Sequence, residues 1–237
     1  MGDLVHAWRE GELADELEIL RALRSPYCPA ALVEAVAGSS LATSRRRITL
    51  ALVRHPHCPR AFVLRALPLL GWHDLLTVVE DPRAPMPVRL QAQSKLLERL
   101  PALTVGEKIA LARRAPPHVF SGLFGESDTR IVAALLENPK FSQGHCLRLA
   151  AETSSPRVLA EILRHDRWGQ TTSVLKAALA NPALPVALTV AVLVSLSDDE
   201  LSWLSQCGDF PQGVRRLASK ALWVRGLRGP GDDRYLH

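Results

Sequence analysis

Aromatic residues are scarce in this sequence, and the motifs of the common enzyme classes are missing. Phe, Trp and Tyr account for 5% of the 237 residues, whereas Ala, Leu and Val are abundant. This composition favours helices, because Ala and Leu are strong helix formers and aromatic residues are enriched in strands. The chain has no GxSxG, HExxH, P-loop or dinucleotide-binding glycine motif, which favours a protein that is not an enzyme.

Cysteine and long apolar runs are also limited. The four cysteines, Cys28, Cys58, Cys146 and Cys207, lie far apart and form no CxxC pair, which predicts free thiols in a reducing compartment. The first residues carry acids and no apolar segment of the kind found in secretory signals. The apolar runs end well before membrane-spanning length. We therefore expect a cytoplasmic protein without a membrane partner.

The charge balance is basic and dominated by arginine. The formal net charge is +5, and 24 of the 29 cations are Arg. The densest basic run is SRRRI, which begins at Ser44. A basic balance is compatible with an acidic partner such as nucleic acid. Richness in Arg and Ala is also typical of a GC-rich coding sequence, so charge alone does not identify the partner.

A short segment built on two prolines recurs along the chain. The copies are SPYCP (25–29), HPHCP (55–59), DPRAP (81–85), NPKFS (138–142), NPALP (181–185) and a degenerate CGDFP (207–211). The first proline cannot continue a helix, because it lacks an N–H and its ring clashes with an upstream carbonyl. The second suits the first turn of the next helix. We name these segments corners and predict that residues 55–58 and 181–184 are non-helical, with helices opening at Pro59 and Pro185.

Other corner positions carry residues suited to helix ends. Asn138 and Asn181 precede the first proline and suit a C-terminal cap in the left-handed conformation. Cys28 and Cys58 precede the second proline, where we expect the N-cap of the next helix. A thiol at a helix N-terminus has its thiolate favoured, so these two cysteines are expected to have some reactivity without an enzymatic role.

The helix after each corner is expected to bury one face. Positions three and seven residues after the second proline share a helical face, which predicts that Phe62, Leu188 and Val192 lie in the core. Trp203 and Trp223 are also spaced like core residues.

Two long segments resemble a known class of helical repeat. Residues 52–97, beginning LVRHPHCPRAFVLRAL, and 175–222, beginning LKAALANPALPVALTV, are similar to bacterial HEAT-like repeats, including the leucine-rich-repeat variant type. The resemblance covers most of residues 15–225. It implies an all-α fold, a right-handed α-α superhelix (solenoid) of roughly seven short antiparallel helix pairs. Residues 1–228 would form this single domain and 229–237 a flexible C-terminal tail.

The resemblance carries no cofactor to this chain. Variant-type proteins can hold an iron–sulfur cluster on a compact cysteine-rich segment, and the four separated cysteines form no such segment. We therefore expect no cofactor.

Two sets of residues indicate possible chemistry, and each has a simpler interpretation. His55, His57 and Cys58 are metal-ligand types that lie close in sequence, yet three ligands on a proline-locked corner need a fourth from elsewhere. His145 and Cys146 resemble a nucleophile pair, yet adjacent residues on a helix point about 100° apart. We expect packing roles for all five, with no bound metal and no catalytic residue.

Arginines follow several corners, on the helices that we expect to line a groove. Side chains placed there can follow a phosphate backbone. The candidates for partner binding on this surface are Arg60, Arg65, Arg89, Arg148 and Arg215. Asp74, Asp81 and Glu98 are expected to neutralise Arg65 and Arg89 across neighbouring helices.

Two functions follow from these observations. The favoured one is a non-catalytic scaffold that binds a protein or peptide in the groove of the solenoid. Trp168, in the irregular segment HDRWGQTT, is its best candidate for an exposed anchor, because Trp is enriched at binding interfaces. The alternative is a HEAT-like nucleic-acid-binding protein that uses the arginines on its concave face. Neither motif nor composition identifies the partner.

Overall fold

The computed structural model describes residues 15–227, together with His6 and Trp8. This part of the chain is 72% helical and contains no strand, which confirms the predicted all-α class. None of its helices combines the length and the apolar character needed to cross a membrane. The tail predicted at 229–237 lies outside the described residues.

The chain forms two compact units, Met1–Thr104 and Val105–His237. The described helices of the first unit are α1 (Glu16–Arg24), α2 (Ala30–Ala37), α3 (Leu41–Ser44), α4 (Arg46–Val53), α5 (Arg60–Ala66), α6 (Trp72–Glu80) and α7 (Met86–Arg99). Those of the second are α8 (Val105–Arg114), α9 (Phe120–Leu123), α10 (Thr129–Leu136), α11 (Gln143–Glu152), α12 (Pro156–Arg164), α13 (Thr172–Ala180), α14 (Val186–Ser195), α15 (Asp198–Gln206) and α16 (Gln212–Leu227). Short 3₁₀ turns cover Leu67–Leu69, Leu100–Ala102 and Pro117–Val119. The assignment of residues 1–228 to a single domain stays a prediction.

Each unit buries aliphatic side chains between short helices. In the first unit α4 packs against α1 and α6, and α6 packs against α7. In the second unit α10 lies against α8 and α12, while α16 lies against α14 and α15. Ile48, Leu52 and Leu75 are fully buried in the first unit, as are Leu111 and Leu159 in the second. Aliphatic burial of this kind is the main source of stability for short helices.

The corners interrupt the helices where the sequence predicted. Residues 55–58 and 181–184 are non-helical, which confirms that prediction. Pro59 and Pro185 are the N-caps of α5 and α14, one position earlier than the expected first helical residue. The Pro59 carbonyl accepts hydrogen bonds from the N–H groups of Phe62 and Val63, at 2.9 and 3.2 Å. Proline fits this position because its missing N–H is not needed to begin a helix.

In five of the six corners the first residue stabilises the turn with its own side chain. Its acceptor atom takes a hydrogen bond from the backbone N–H two residues later, as in an Asx turn. Asn138 Oδ1 accepts from Lys140 and Asn181 Oδ1 from Ala183, both at 2.8 Å. Asp81 Oδ1 accepts from Arg83 at 2.9 Å. Ser, His, Asp and Asn all occur at this position because each provides a side-chain acceptor.

Asn181 does not form the expected left-handed cap. Asn181 has an extended backbone, with φ −77° and ψ 122°. Its amide group instead donates to the carbonyls of Ala150, Ala151 and Thr153, at 2.8, 3.2 and 2.8 Å. These carbonyls lie at the C-terminus of α11, where the helix itself provides no donors. The left-handed prediction was therefore wrong for Asn181, whose side chain caps an earlier helix.

Four other side chains make the same kind of contact, and we name the five contacts carbonyl clamps. Asn138 Nδ2 donates to Ala112 and Ala115 at the end of α8, at 2.7 and 3.1 Å. Arg225 donates to the Val194 and Leu196 carbonyls at the end of α14, at 2.7 and 2.8 Å. The remaining clamps join Arg99 to Pro68 and Leu70, and Trp168 to Leu136.

The structure reverses the predicted roles of the tryptophans. Trp168 is only 2% exposed, because its indole N–H donates to the Leu136 carbonyl at 3.2 Å and its ring packs against Phe141. It is therefore no surface anchor. Trp203 and Trp223 are 48% and 65% exposed rather than buried. Trp223 lies nine residues after the buried Val214, which places it on the opposite face of α16.

The predicted packing face is largely correct. Phe62 and Val192 are buried, at 3% and 6% exposure, whereas Leu188 is half-buried.

Replacing Asn181 tests the carbonyl clamps. Asn181→Ala removes a buried donor and an acceptor, so we expect a loss of about 1–3 kcal/mol in the free energy of unfolding. Asn181→Asp keeps the acceptor for Ala183 but turns a carboxylate towards three carbonyl oxygens, so it should be the less stable variant at neutral pH. Urea denaturation followed by circular dichroism measures both.

The matched control is Gln170→Ala, which removes an exposed amide and should change stability by no more than about 0.5 kcal/mol. Wild-type stability in Asn181→Ala would contradict the clamp.

Candidate functional site

The six residues predicted to bind a partner lie in both units, and one of them is buried. Trp168 is buried, as described above. Arg60 and Arg65 are exposed and make no hydrogen bond or ion pair within the described chain. Arg60, Arg65 and Arg89 belong to the first unit, whereas Arg148 and Arg215 belong to the second.

The other three arginines are partly engaged. Arg148 forms an ion pair with Glu152 at 3.1 Å and lies 5.6 Å from the centre of the Phe124 ring. Arg89 contacts the Met86 sulfur at 3.2 Å. Arg89 and Arg215 are half-buried, and the Nε atom of each lacks a hydrogen-bond partner.

The acids expected to neutralise Arg65 and Arg89 pair with other cations. Asp74 accepts two bonds from Arg46, at 2.6 and 2.7 Å. Glu98 pairs with Lys95 at 2.6 Å. Asp81, the third acid, pairs with Arg54 and Arg83. That prediction was therefore wrong, because sequence proximity did not indicate which cations the folded chain brings to these acids.

A cleft of about 500 Å³ opens at the corners of the first unit. We name it the corner cleft. Its polar wall carries four guanidinium groups, two imidazoles and a single carboxylate: Arg24, Arg47, Arg54, Arg83, His55, His57 and Asp81. Its apolar part includes Leu20, Leu23 and Leu50. The lining residues come from the helices α1 and α4 and from the corners at 25–29, 55–59 and 81–85, with Arg54 at the end of α4.

Asp81 fixes the cationic wall of the corner cleft. Burial opposes its ionisation, but hydrogen bonds from the Arg83 N–H and the Arg54 guanidinium outweigh burial and lower the pKa of Asp81. The carboxylate is therefore charged at neutral pH and holds Arg54, while Arg83 Nε lies 3.5 Å away. One carboxylate cannot neutralise four guanidinium groups, so the cleft keeps a net positive charge.

Two of the four arginines have no close internal partner. Arg47 Nε lies 3.9 Å from Glu16 Oε1, which is beyond hydrogen-bond distance. Arg24 makes no ion pair or hydrogen bond with any residue the structure describes. Sequence reasoning missed both residues as site residues. The basic run SRRRI was a sequence feature that could have indicated a binding role for Arg47, whereas no sequence feature indicated one for Arg24.

Burial favours the neutral forms of His55, Cys28 and Cys58, which lie in or beside the corner cleft. Burial, and then repulsion by His57, lower the pKa of His55. Burial raises the pKa of the Cys28 thiol, and it raises the pKa of Cys58 to about 12. The expected thiolate character was therefore wrong. Both cysteines precede the N-cap proline by one residue, and burial determines their state.

The residues considered for metal binding and for nucleophilic chemistry have structural surroundings. No group of three His, Cys, Asp or Glu side chains suited to a metal ion occurs in the described part of the chain. His145 Nδ1 accepts from the Ser142 N–H at 3.1 Å and completes a capping box at the start of α11. Cys146 is fully buried, which raises its pKa to about 12.

A second cleft of the first unit, of about 560 Å³, contains Arg65. Phe62 and Leu69 form part of its apolar lining, and the Arg46–Asp74 ion pair lies at its edge. Since Asp74 already neutralises Arg46, Arg65 is the unpaired cation of this cleft.

Comparison with protein-family models, with curated proteins and with solved structures found no match for this chain. The resemblance to HEAT-like repeats therefore rests on the sequence segments alone.

The lowered pKa of His55 predicts a loss of stability in acid. The neutral His55 imidazole makes its full contribution to the free energy of unfolding above the ordinary histidine pKa of about 6.5. That contribution is lost as the pH falls through the lower pKa of His55 in the folded state. His55→Asn keeps a turn acceptor, as Asn138 and Asn181 do, without the titrating ring. We expect the free energy of unfolding to fall less between pH 7.5 and pH 5 in this variant than in the wild type.

Urea denaturation at several pH values measures the difference. An equal decline in both proteins would show that His55 does not titrate across this range.

Proposed function

We propose that this protein is a non-catalytic binding scaffold that holds a segment of a partner protein. Its helices would stack as a right-handed α-α superhelix of roughly seven pairs, in the cytoplasm. The recurring corners and the carbonyl clamps support this proposal, because the corners join successive helices and the clamps tie a helix end to a side chain 23 to 32 residues later, as expected when each repeat contacts the next.

The observation that carries the proposal is the composition of the corner cleft. Binding sites are typically concave and combine an apolar lining with a few fixed polar groups. The corner cleft has an apolar part at Leu20 and Leu23 and a cationic wall held by Asp81. A polypeptide segment offers both kinds of complementary group, since apolar and anionic side chains can alternate along it.

Nucleic-acid binding is the second candidate. Arg60 and Arg65 are exposed and free of ion pairs among the described residues, so they are available to phosphates. A sequence-independent phosphate track needs several such cations along one surface. In the first unit Arg89 is half-buried against Met86, which shortens the available row.

Capture of a partner distinguishes the two functions. The tagged protein is incubated with host lysate, with and without nuclease, and a retained protein is then purified and titrated by calorimetry. We expect a stoichiometric protein partner that survives nuclease and binds when purified. Retention that disappears with nuclease would favour the second candidate, and no binding by the purified protein would contradict the scaffold.

A salt titration tests the second candidate directly. Each phosphate contact contributes about −0.9 to the slope of the logarithm of the binding constant against the logarithm of the salt concentration. If Arg65 and Arg89 each contact one phosphate, the double variant Arg65→Gln/Arg89→Gln should make this slope for duplex DNA less steep by about two. We expect only weak duplex binding in the wild type, measured by fluorescence anisotropy, and no change in the variant. Submicromolar binding at physiological salt that the double variant loses would overturn this expectation.

A further inference from the structure

The corner cleft holds one arginine with no partner among the described residues and another with only a long ion pair. Arg24 has no hydrogen-bond or ion-pair partner among the described residues, and Arg47 stays 3.9 Å from Glu16. Arg47 is 64% exposed. An arginine that stabilises a fold is normally paired or packed, so two loosely held guanidinium groups in one concave site are free to bind an external anion.

The one carboxylate of the corner cleft is already paired with two other arginines. Asp81 is ionised and engaged by Arg54 and Arg83, so its carboxylate is not available to Arg24 or Arg47. Arg83 remains 66% exposed and offers several N–H groups beyond the one near Asp81. In the corner cleft, Arg54 and Arg83 are therefore held by Asp81, whereas Arg24 and Arg47 are held only loosely.

The shape of the cleft limits what can bind to it. Its volume of about 500 Å³ accommodates a few side chains rather than a long polymer, and its lining includes Leu20, Leu23 and Leu50. Apart from the imidazoles of His55 and His57, the lining offers no aromatic ring on which a base could stack. Single-stranded nucleic acids depend on such stacking for much of their affinity.

We propose that the corner cleft binds an acidic segment of a partner protein, with two carboxylates on Arg24 and Arg47 and an apolar side chain on the leucine lining. The carboxylate oxygens match the fork of N–H donors on each guanidinium. This inference rests on the proposed function, because it names the class of segment that the scaffold recognises.

Labelled decapeptides test the occupant by fluorescence anisotropy. One peptide alternates Glu and Leu, and a second replaces each Glu with Gln. We expect the Glu peptide to bind roughly tenfold or more tightly than the Gln peptide, because charge-assisted bonds are the stronger ones. The variant Arg24→Gln/Arg47→Gln should lose that preference. Equal binding of the two peptides, or an unchanged preference in the variant, would overturn the inference.

Two controls define the outcome. Arg157→Gln/Arg164→Gln removes two exposed arginines of α12 and should keep the preference. Circular dichroism shows whether each variant is folded. A single-stranded decanucleotide that binds more tightly than the Glu peptide, and is lost in Arg24→Gln/Arg47→Gln, would assign the cleft to nucleic acid instead. A captured protein partner without any peptide binding would leave the scaffold in place and refute only the acidic segment.

Discussion

Backbone carbonyls at the end of a helix have no donor within that helix, and in this protein side chains from later in the chain supply the donors. Asn138, Asn181 and Trp168 do so from within or beside non-helical segments, and Arg99 and Arg225 do so from the ends of long helices. Short helices expose many such carbonyls for their length. These bonds therefore fix where one helix ends relative to the next, and the apolar core packs within that frame.

The helix boundaries were predictable because proline acts locally. It removes a donor and restricts the backbone wherever it stands, so the corners at 55–59 and 181–185 lie where the sequence placed them. The role of Trp168 was not predictable in this way. Its partner, the Leu136 carbonyl, lies 32 residues earlier, and spacing along one segment carries no information about that distance. The exposure of Trp203 has the same origin, since periodicity identifies a face of a helix but not the helix that covers it.

The candidate site shows a similar division. The sequence drew attention to arginine, and six arginines of the first unit line its two clefts. Which arginines remain available depends on ion pairs formed across 27 and 28 residues, Arg54 with Asp81 and Arg46 with Asp74. Those pairs follow from helix packing and leave Arg24, Arg47 and Arg65 without a strong partner. The sequence shows which residues are charged, but only the fold shows which of them are already paired with another residue.

The corner at 81–85 is held by different forces from those at 138–142 and 181–185. In the first unit the corner at 81–85 depends on a carboxylate between two guanidinium groups, whereas the corners at 138–142 and 181–185 in the second use neutral amides. Salt screens attraction between charges but has little effect on bonds between neutral groups. Guanidinium chloride, which is itself a salt, therefore weakens the corner at 81–85 by screening its charges as well as by denaturing the chain, whereas urea does not screen charges. The two denaturants are expected to give different relative stabilities for the corner at 81–85 and the corners at 138–142 and 181–185.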